Sequence, residues 1–286
     1  VIERCQQVDH FISKADFITS HTTTKADAII HVFPDAAIAK AAKGKDITLR
    51  IGTTNRWFHW LYCNRLVRLS RRHSPLHEAQ LNAKLLQPLF LETNYTLEQL
   101  ADAATLRTET SSAFSLDHSK YHLILHPTSK GSAREWGNEN FENLVRLLPK
   151  ENFTLYLCGL ESDRAKLAPL LEKCDGEYFI DCIGKFNLST YIDFIQAADG
   201  LIANSTGPLH IAALSNKDAF GIYPPIKPMH PGRWSPIGKN SQVFVLDKSC
   251  ESCRHTQEAC ACMLAIQPMA VAEAIKQARQ RKLNKL

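Results

Sequence analysis

Two patterns of apolar positions alternate along the chain. Beyond residue 118, short continuous apolar runs are separated by stretches whose apolar residues recur every three or four positions. Continuous runs bounded by turn residues read as strands buried on both faces, and the longer period reads as an amphipathic helix. The runs predict strands at 121–126, 154–158, 178–183, 200–203, 219–223 and 243–246. Phe141, Leu144, Val145 and Leu148 form an i, i+3, i+4, i+7 stripe, and Tyr191, Phe194, Ile195 and Ala198 repeat it within a helix expected at 189–198. Strands separated by helices of this length need crossover connections, so the sheet is expected to be parallel and helix-covered.

The first 117 residues carry a thinner version of the same pattern. Strands are predicted at 28–33 and 47–51 around a helix at 35–43, followed by helices at 56–69 and 76–89, the last closed by Pro88. The polar, mixed stretch 91–119 reads as a connection. The expected organisation is a partial Rossmann-like domain at 1–117 and a second at 118–286 that binds the nucleotide, with a cysteine-rich segment near its end. A doubly wound domain carries about five or six strands. Because the sequence opens on Val1 inside what reads as structured chain, the strands that complete the first domain are expected to precede it.

Composition narrows the class. Hydrophobic residues make up 44% and charged residues 22% of the 286, ordinary for a protein with packed cores. No run approaches the roughly 18 apolar residues of a membrane span, and the opening segment lacks the apolar core of a signal peptide. A cytoplasmic location is expected. The net charge of +5 is unevenly placed: between Lys40 and Arg72, nine basic residues face a single acid, Asp46. Such a stretch is either a solvated face or a surface for an anionic acceptor, the latter allowing peripheral contact with the inner membrane. No recognition motif accompanies the charge, so nucleic acid is not an expected partner.

In open parallel sheets ligands gather at the carboxyl ends of strands, and three such ends are polar here. Ser205, Thr206 and Gly207 follow one strand and precede Pro208, which is helix-start chemistry, and His210 falls in the first turn. Free N–H groups and the helix dipole make such a start an anion site. Thr128, Ser129, Lys130 and Arg134 follow a second strand, offering hydroxyls and cations. Glu161 follows a third, where a carboxylate can hold ribose hydroxyls. Neither G-x-G-x-x-G nor G-x-x-x-x-G-K-[ST] occurs, against a nicotinamide enzyme or a P-loop NTPase.

At these segments the chain resembles glycosyltransferase family 9, the ADP-heptose:lipopolysaccharide heptosyltransferases. Ser205, Thr206, Gly207 and His210, with Ala212 and Ala213 behind them, are similar to the family's D/S-T/S-G-x-x-H segment. Thr128, Ser129, Arg134 and Trp136 are similar to its hydroxyl-rich loop and K-x-W, with Arg in place of Lys. The resemblance implies a GT-B architecture, an α/β fold of two Rossmann-like parallel-sheet domains facing a cleft, the first of them incomplete. It implies inverting transfer of heptose or a related sugar from a nucleotide-diphosphate donor (ADP-heptose or similar) to a lipopolysaccharide-core or similar glycan acceptor, with no cofactor required. Thr128, Ser129, Arg134, Glu161, Ser205, Thr206, Gly207 and His210 would hold the donor; Asp35 and Arg56 would lie on the acceptor side. The family's catalytic base is an Asp after its opening strand, which has no counterpart here, so the base is expected upstream of Val1. Two other readings remain open: a sugar-nucleotide epimerase that acts on the donor alone, and a sugar-nucleotide-binding fragment without catalysis.

Cys250, Cys253, Cys260 and Cys262 cluster, with His255 nearby. The C-x-C half departs from the usual paired zinc spacing, so a structural zinc, a disulfide and reduced core thiols all remain open for these four.

Overall fold

The computed structural model describes residues 1–20, 26–71, 74–104, 106, 114–227, 229–247, 250 and 260–284. The chain separates into two compact units: a smaller one of Val8–Leu100 with Ile2, and a larger one of Ala101–Leu286 with Val1 and Glu3–Gln7.

The smaller unit runs α1 (Lys14–Thr19), β1 (Ala28–Ile30), α2 (Ala36–Gly44), β2 (Leu49–Thr53), α3 (Trp57–Tyr62), β3 (Arg65–Val67) and α4 (Glu78–Ala83). Its sheet has the order β1-β2-β3, parallel throughout. Alanine-rich α2 has the strongest helix propensity of any segment here and buries Ala39 and Ala42. Ile51, Val67, Leu69, Leu81 and Leu85 form the core beneath the sheet.

Two expectations for this unit need correction. The helix expected over 56–69 stops at Tyr62, and its second half is strand β3, in register with β2 through Ile51↔Arg65 and Thr53↔Val67. Asn64 explains the break. Its side chain accepts from Arg50 N (2.9 Å) and donates to Thr48 O (2.8 Å), taking the place of a strand residue against β2. Asparagine competes for backbone groups in this way and is poor in helix interiors. The helix expected over 76–89 is α for Glu78–Ala83 only; Lys84–Leu89 tightens to a 3₁₀ turn containing Pro88.

In the larger unit α5 (Leu97–Ala103) crosses the boundary, within the stretch expected to be a plain connection. Then come β4 (Tyr121–His126), α6 (Asn138–Leu147), β5 (Phe153–Leu157), α7 (Ala168–Leu171), β6 (Phe179–Asp181), α8 (Leu188–Ala197), β7 (Gly200–Asn204), α9 (Gly207–Leu214), β8 (Asp218–Ile222), α10 (Pro231–Trp234), β9 (Ser241–Phe244), α11 (Ala261–Leu264) and α12 (Pro268–Leu283). All six strands are parallel in the order β6-β5-β4-β7-β8-β9. Counted from β4 this is the doubly wound order, which reverses between β4 and β7. All six predicted strands of this sheet are present, with ends displaced by a residue or two.

Strand alternation sorts the core into two layers. Tyr121, Leu123 and Leu125 of β4 point to the side of Phe141, Leu144, Val271 and Ile275 from α6 and α12. Ile124 points to the opposite side, with Ile192 and Ile195 of α8 and Leu209 and Ala212 of α9. Both faces are dry, which is why these strands read as unbroken apolar runs. Among the described residues no helix is long and apolar enough to cross a membrane.

Leu123 sits wholly buried on the central strand. Leu123→Ala is expected to lower the unfolding free energy by about 2–5 kcal/mol, read from urea denaturation followed by circular dichroism. A loss below about 1 kcal/mol would contradict its place in a close-packed layer.

Candidate functional site

The two strands flanking the reversal end in corners that are tied to each other. β4 runs out at His126 into a loop leading to α6, and β7 runs out at Asn204 into the start of α9. The fully buried Asn204 carboxamide joins them, accepting from Trp136 N (3.0 Å) and donating to Pro127 O (2.7 Å). Trp136 is itself fully buried and donates its indole N–H to Ile266 O (2.9 Å). One side chain therefore pins both ends of the β4–α6 loop to the β7–α9 turn. Without it a buried N–H and a buried C=O would each lack a partner, at about 1–3 kcal/mol apiece.

Between those pins the loop holds its own shape. Ser132 N donates to Ser129 O (2.9 Å), closing a turn whose middle residues, Lys130 (φ 46°) and Gly131 (φ 78°), are left-handed. Ser129 Oγ donates to Ala133 O (2.8 Å), and the Glu135 carboxylate accepts from Ser129 N (3.0 Å). Thr128 Oγ1 donates to Asp163 Oδ2 (2.9 Å), which also accepts from Leu160 N (2.9 Å). Both hydroxyl protons thus point to protein acceptors. Toward a ligand, Thr128 and Ser129 offer lone pairs.

A cavity of about 480 Å³ opens at these corners. Its polar margin includes Thr128, Ser129, Lys130, Asp163 and Thr206, and its apolar walls include Leu160, Phe186 and Leu188. Thr206 is the N-cap residue of α9, yet its hydroxyl caps nothing: Oγ1 is buried without a hydrogen-bond partner. A Cβ added to Gly207 would meet nothing within 4 Å, so the helix start faces open space. Such a start presents the positive end of a helix dipole; Pro208 has no N–H and Leu209 N already donates to Thr206 O (3.2 Å), which leaves the N–H of Gly207 for a ligand. His126 bonds Tyr191 Oη through Nδ1 (3.0 Å). Burial pulls its pKa down to about 4, so it is neutral at physiological pH. Phe186 stacks on Tyr191 with centroids 6.1 Å apart. A second cavity of about 420 Å³ shares Ser132, Thr206 and Gly207 with the first and adds Ser205, His210 and Trp234.

The residues singled out from sequence separate into groups. Thr128, Ser129, Thr206 and Gly207 line the larger cavity, and Ser205, Thr206, Gly207 and His210 line its neighbour. Arg134, half-buried in the loop, is not among the lining residues of either; the cation on the margin is Lys130. Glu161 opens a 3₁₀ turn after β5 and is exposed, its carboxylate taken up by Arg164 (2.7 Å), which holds its pKa below the usual carboxylate range. The carboxylate on the cavity wall is Asp163, two residues on. In the smaller unit, Asp35 caps α2 by accepting from Ala37 N and Ile38 N (2.9 and 3.0 Å) and pairs with Lys14, while Arg56 stands exposed at the N-cap position of α3. The basic stretch is partly consumed: Arg50 bonds Tyr62 O (2.8 Å), Lys43 bonds Leu61 O (3.1 Å) and Arg71 pairs with Glu78 (2.6 Å), while Arg72 lies outside the described residues.

Cys253 and His255 also lie outside the described residues. Cys260 and Cys262 are buried in the layer beneath α6 and α12, with Cys250 packed against it. Among the described residues no group of three metal-ligating side chains comes together.

Sequence reasoning passed over Asn204, Asp163 and Tyr191. Asn204 did leave a signal, as the one polar residue closing an apolar strand.

Comparison with known proteins agrees with this architecture. A family model, glycosyltransferase family 9 (heptosyltransferase), matches residues 35–264. A Haemophilus influenzae protein that carries a provisional glycosyltransferase name is 27% identical over 257 residues, which cover 82% of this chain and 73% of that protein. Among solved structures, E. coli ADP-heptose lps heptosyltransferase II superposes with a TM-score of 0.66 at 18% identity, covering 87% of this chain and 75% of that one. E. coli heptosyltransferase WaaC with ADP superposes at 0.64 and 17% identity, covering 89% and 73%. At such identities the structural likeness speaks for the parallel-sheet α/β fold of these GT-B enzymes, and the family match for the chemistry. The chain belongs to glycosyltransferase family 9, the heptosyltransferase family, and is a transferase by membership.

Proposed function

We propose that the chain transfers heptose or a related sugar, with inversion, from a nucleotide-diphosphate donor to a lipopolysaccharide-core or similar glycan acceptor. The observation that carries this reading is the orphaned Thr206 hydroxyl beside the open start of α9. A buried hydroxyl without a partner costs free energy that a bound anion would recover. The diphosphate lies at Thr206 and Gly207, with Ser205 and His210 on the side of the second cavity and Lys130 on the margin. Arg134 stands half-buried in the loop, outside the lining of both cavities. The apolar walls take the nucleoside, and Asp163, the carboxylate on the cavity wall, is offered to ribose hydroxyls.

The acceptor oxygen attacks the anomeric carbon from the face opposite the leaving group, and a general base takes its proton. Charge gathers on the departing nucleoside diphosphate, where the helix start and Lys130 stabilise it. Asp35 and Arg56 are assigned to the acceptor side. The E. coli heptosyltransferase solved with ADP makes ADP the first probe.

Thr206→Val keeps shape and removes only the hydroxyl. Calorimetric titration with ADP is expected to show affinity falling about tenfold, the equivalent of about 1.4 kcal/mol, with thermal stability unchanged or raised. Unchanged affinity would place the diphosphate elsewhere. In a second test, the full gene product should consume ADP-heptose only when a lipopolysaccharide-core acceptor is present. Acceptor-independent conversion of the donor to its epimer would replace the transferase reading with the epimerase one.

A further inference from the structure

Two thiols that the proposed transfer does not use stand side by side in the cavity wall. β5 and β6 pair in parallel with Leu157 opposite Asp181, and the next residues on the two strands are Cys158 and Cys182. The ladder continues through them, Cys182 N donating to Leu157 O (2.9 Å). Neighbouring strands lie about 4.8 Å apart, inside the Cα separation of about 4.4–6.8 Å that a disulfide requires. Both side chains belong to the same layer, the one with α8 and α9, so they project to the same side of the sheet. Both are reduced and both line the larger cavity, Cys182 being the more exposed of the two at 7% against 1% for Cys158.

We propose that Cys158 and Cys182 form a dithiol site that closes to a disulfide on reaction with a small hydroperoxide, and that the closed form binds nucleotide more weakly. The second half rests on the nucleotide assignment made above; the first does not.

The two sulfurs have different roles. A hydrogen bond from the Cys158 thiol, helped by Lys185, holds Cys182 below the ordinary thiol range, whereas burial pushes Cys158 up. Cys182 is therefore the attacking thiolate. Its sulfur takes the terminal oxygen of the hydroperoxide, the O–O bond breaks, and the alkoxide leaves with a proton as the alcohol. The Cys158 sulfur then attacks the resulting sulfenic acid, expelling water as the S–S bond forms. Two thiols and one hydroperoxide give one disulfide, one alcohol and one water.

Closure has a route to the ligand. Cys158 and Tyr191 share the cavity wall, and the Tyr191 hydroxyl meets His126 Nδ1 (3.0 Å) while its ring stacks on Phe186. Drawing the Cys158 sulfur to about 2.05 Å from its partner changes the packing of that wall and lets the aromatic residues shift. A nucleotide that prefers the reduced wall must, by linkage, protect the thiols from oxidation.

The test treats the wild-type chain with hydrogen peroxide and maps the peptides by mass spectrometry. Cys174 shares a tryptic peptide with Cys182, so fragment spectra must separate the two. A Cys158–Cys182 cross-link reversed by dithiothreitol, and slowed severalfold by ADP, is expected. In Cys158→Ser, dimedone should trap the sulfenic acid at Cys182. Absence of the cross-link in wild type, or oxidation of Cys182 straight to sulfinic acid, overturns the dithiol site. ADP titration of reduced and oxidised protein tests the coupling, with at least a fivefold weaker affinity expected after oxidation. Equal affinities overturn the coupling. A reduced chain that binds no ADP removes both the coupling and the nucleotide assignment, while the cross-link still decides the dithiol.

Discussion

The Asn204 carboxamide holds together two segments that lie 68 and 77 residues away from it, bonding Trp136 N–H on one side and Pro127 C=O on the other. The nucleotide site proposed for the larger unit depends on this junction. The β4–α6 loop brings Thr128, Ser129 and Lys130 to the cavity, and the β7–α9 turn brings Thr206 and Gly207. Neither corner alone encloses a ligand. An asparagine suits the position because it is neutral and can donate and accept at once, satisfying two buried backbone groups without a charge to desolvate.

The electrostatics of the cavity follow from what lines it. His126 is kept neutral by burial, and the Glu161 carboxylate is held outward by Arg164. The remaining positive potential comes from the start of α9 and from Lys130. A helix start and one lysine are fixed in place before charge builds on a leaving group, which is the requirement that the proposed phosphate departure imposes.

The fold of the larger unit was readable because its strands are buried on both faces and so leave unbroken apolar runs. The smaller unit was harder. Residues 65–67 were expected in a helix, because the strand depends on Asn64 bonding across to Arg50 and Thr48, a pairing that no local period records. Within α3, Trp57, Trp60 and Leu61 are exposed and His59 is the buried residue, so the helix is short and covers little of the core. For the site, hydroxylated and small residues after strands marked the corners that line the two cavities. Which carboxylate faces the cavity was not legible, since Arg164 claims Glu161 and leaves Asp163 to Thr128. Arg134 was marked by its match to the family's K-x-W, whereas the cation on the cavity margin is Lys130, a placement that depends on the loop geometry.

The claim that the two corners act as one binding site is tested most directly by calorimetric titration of Asn204→Leu with ADP, with circular dichroism showing that the protein remains folded. The substitution keeps the number and branching of side-chain heavy atoms and removes both bonds to the loop. If the junction organises the site, ADP affinity falls tenfold or more although Asn204, fully buried, is not itself among the cavity-lining residues. An affinity equal to that of the wild type in a folded protein would contradict the account.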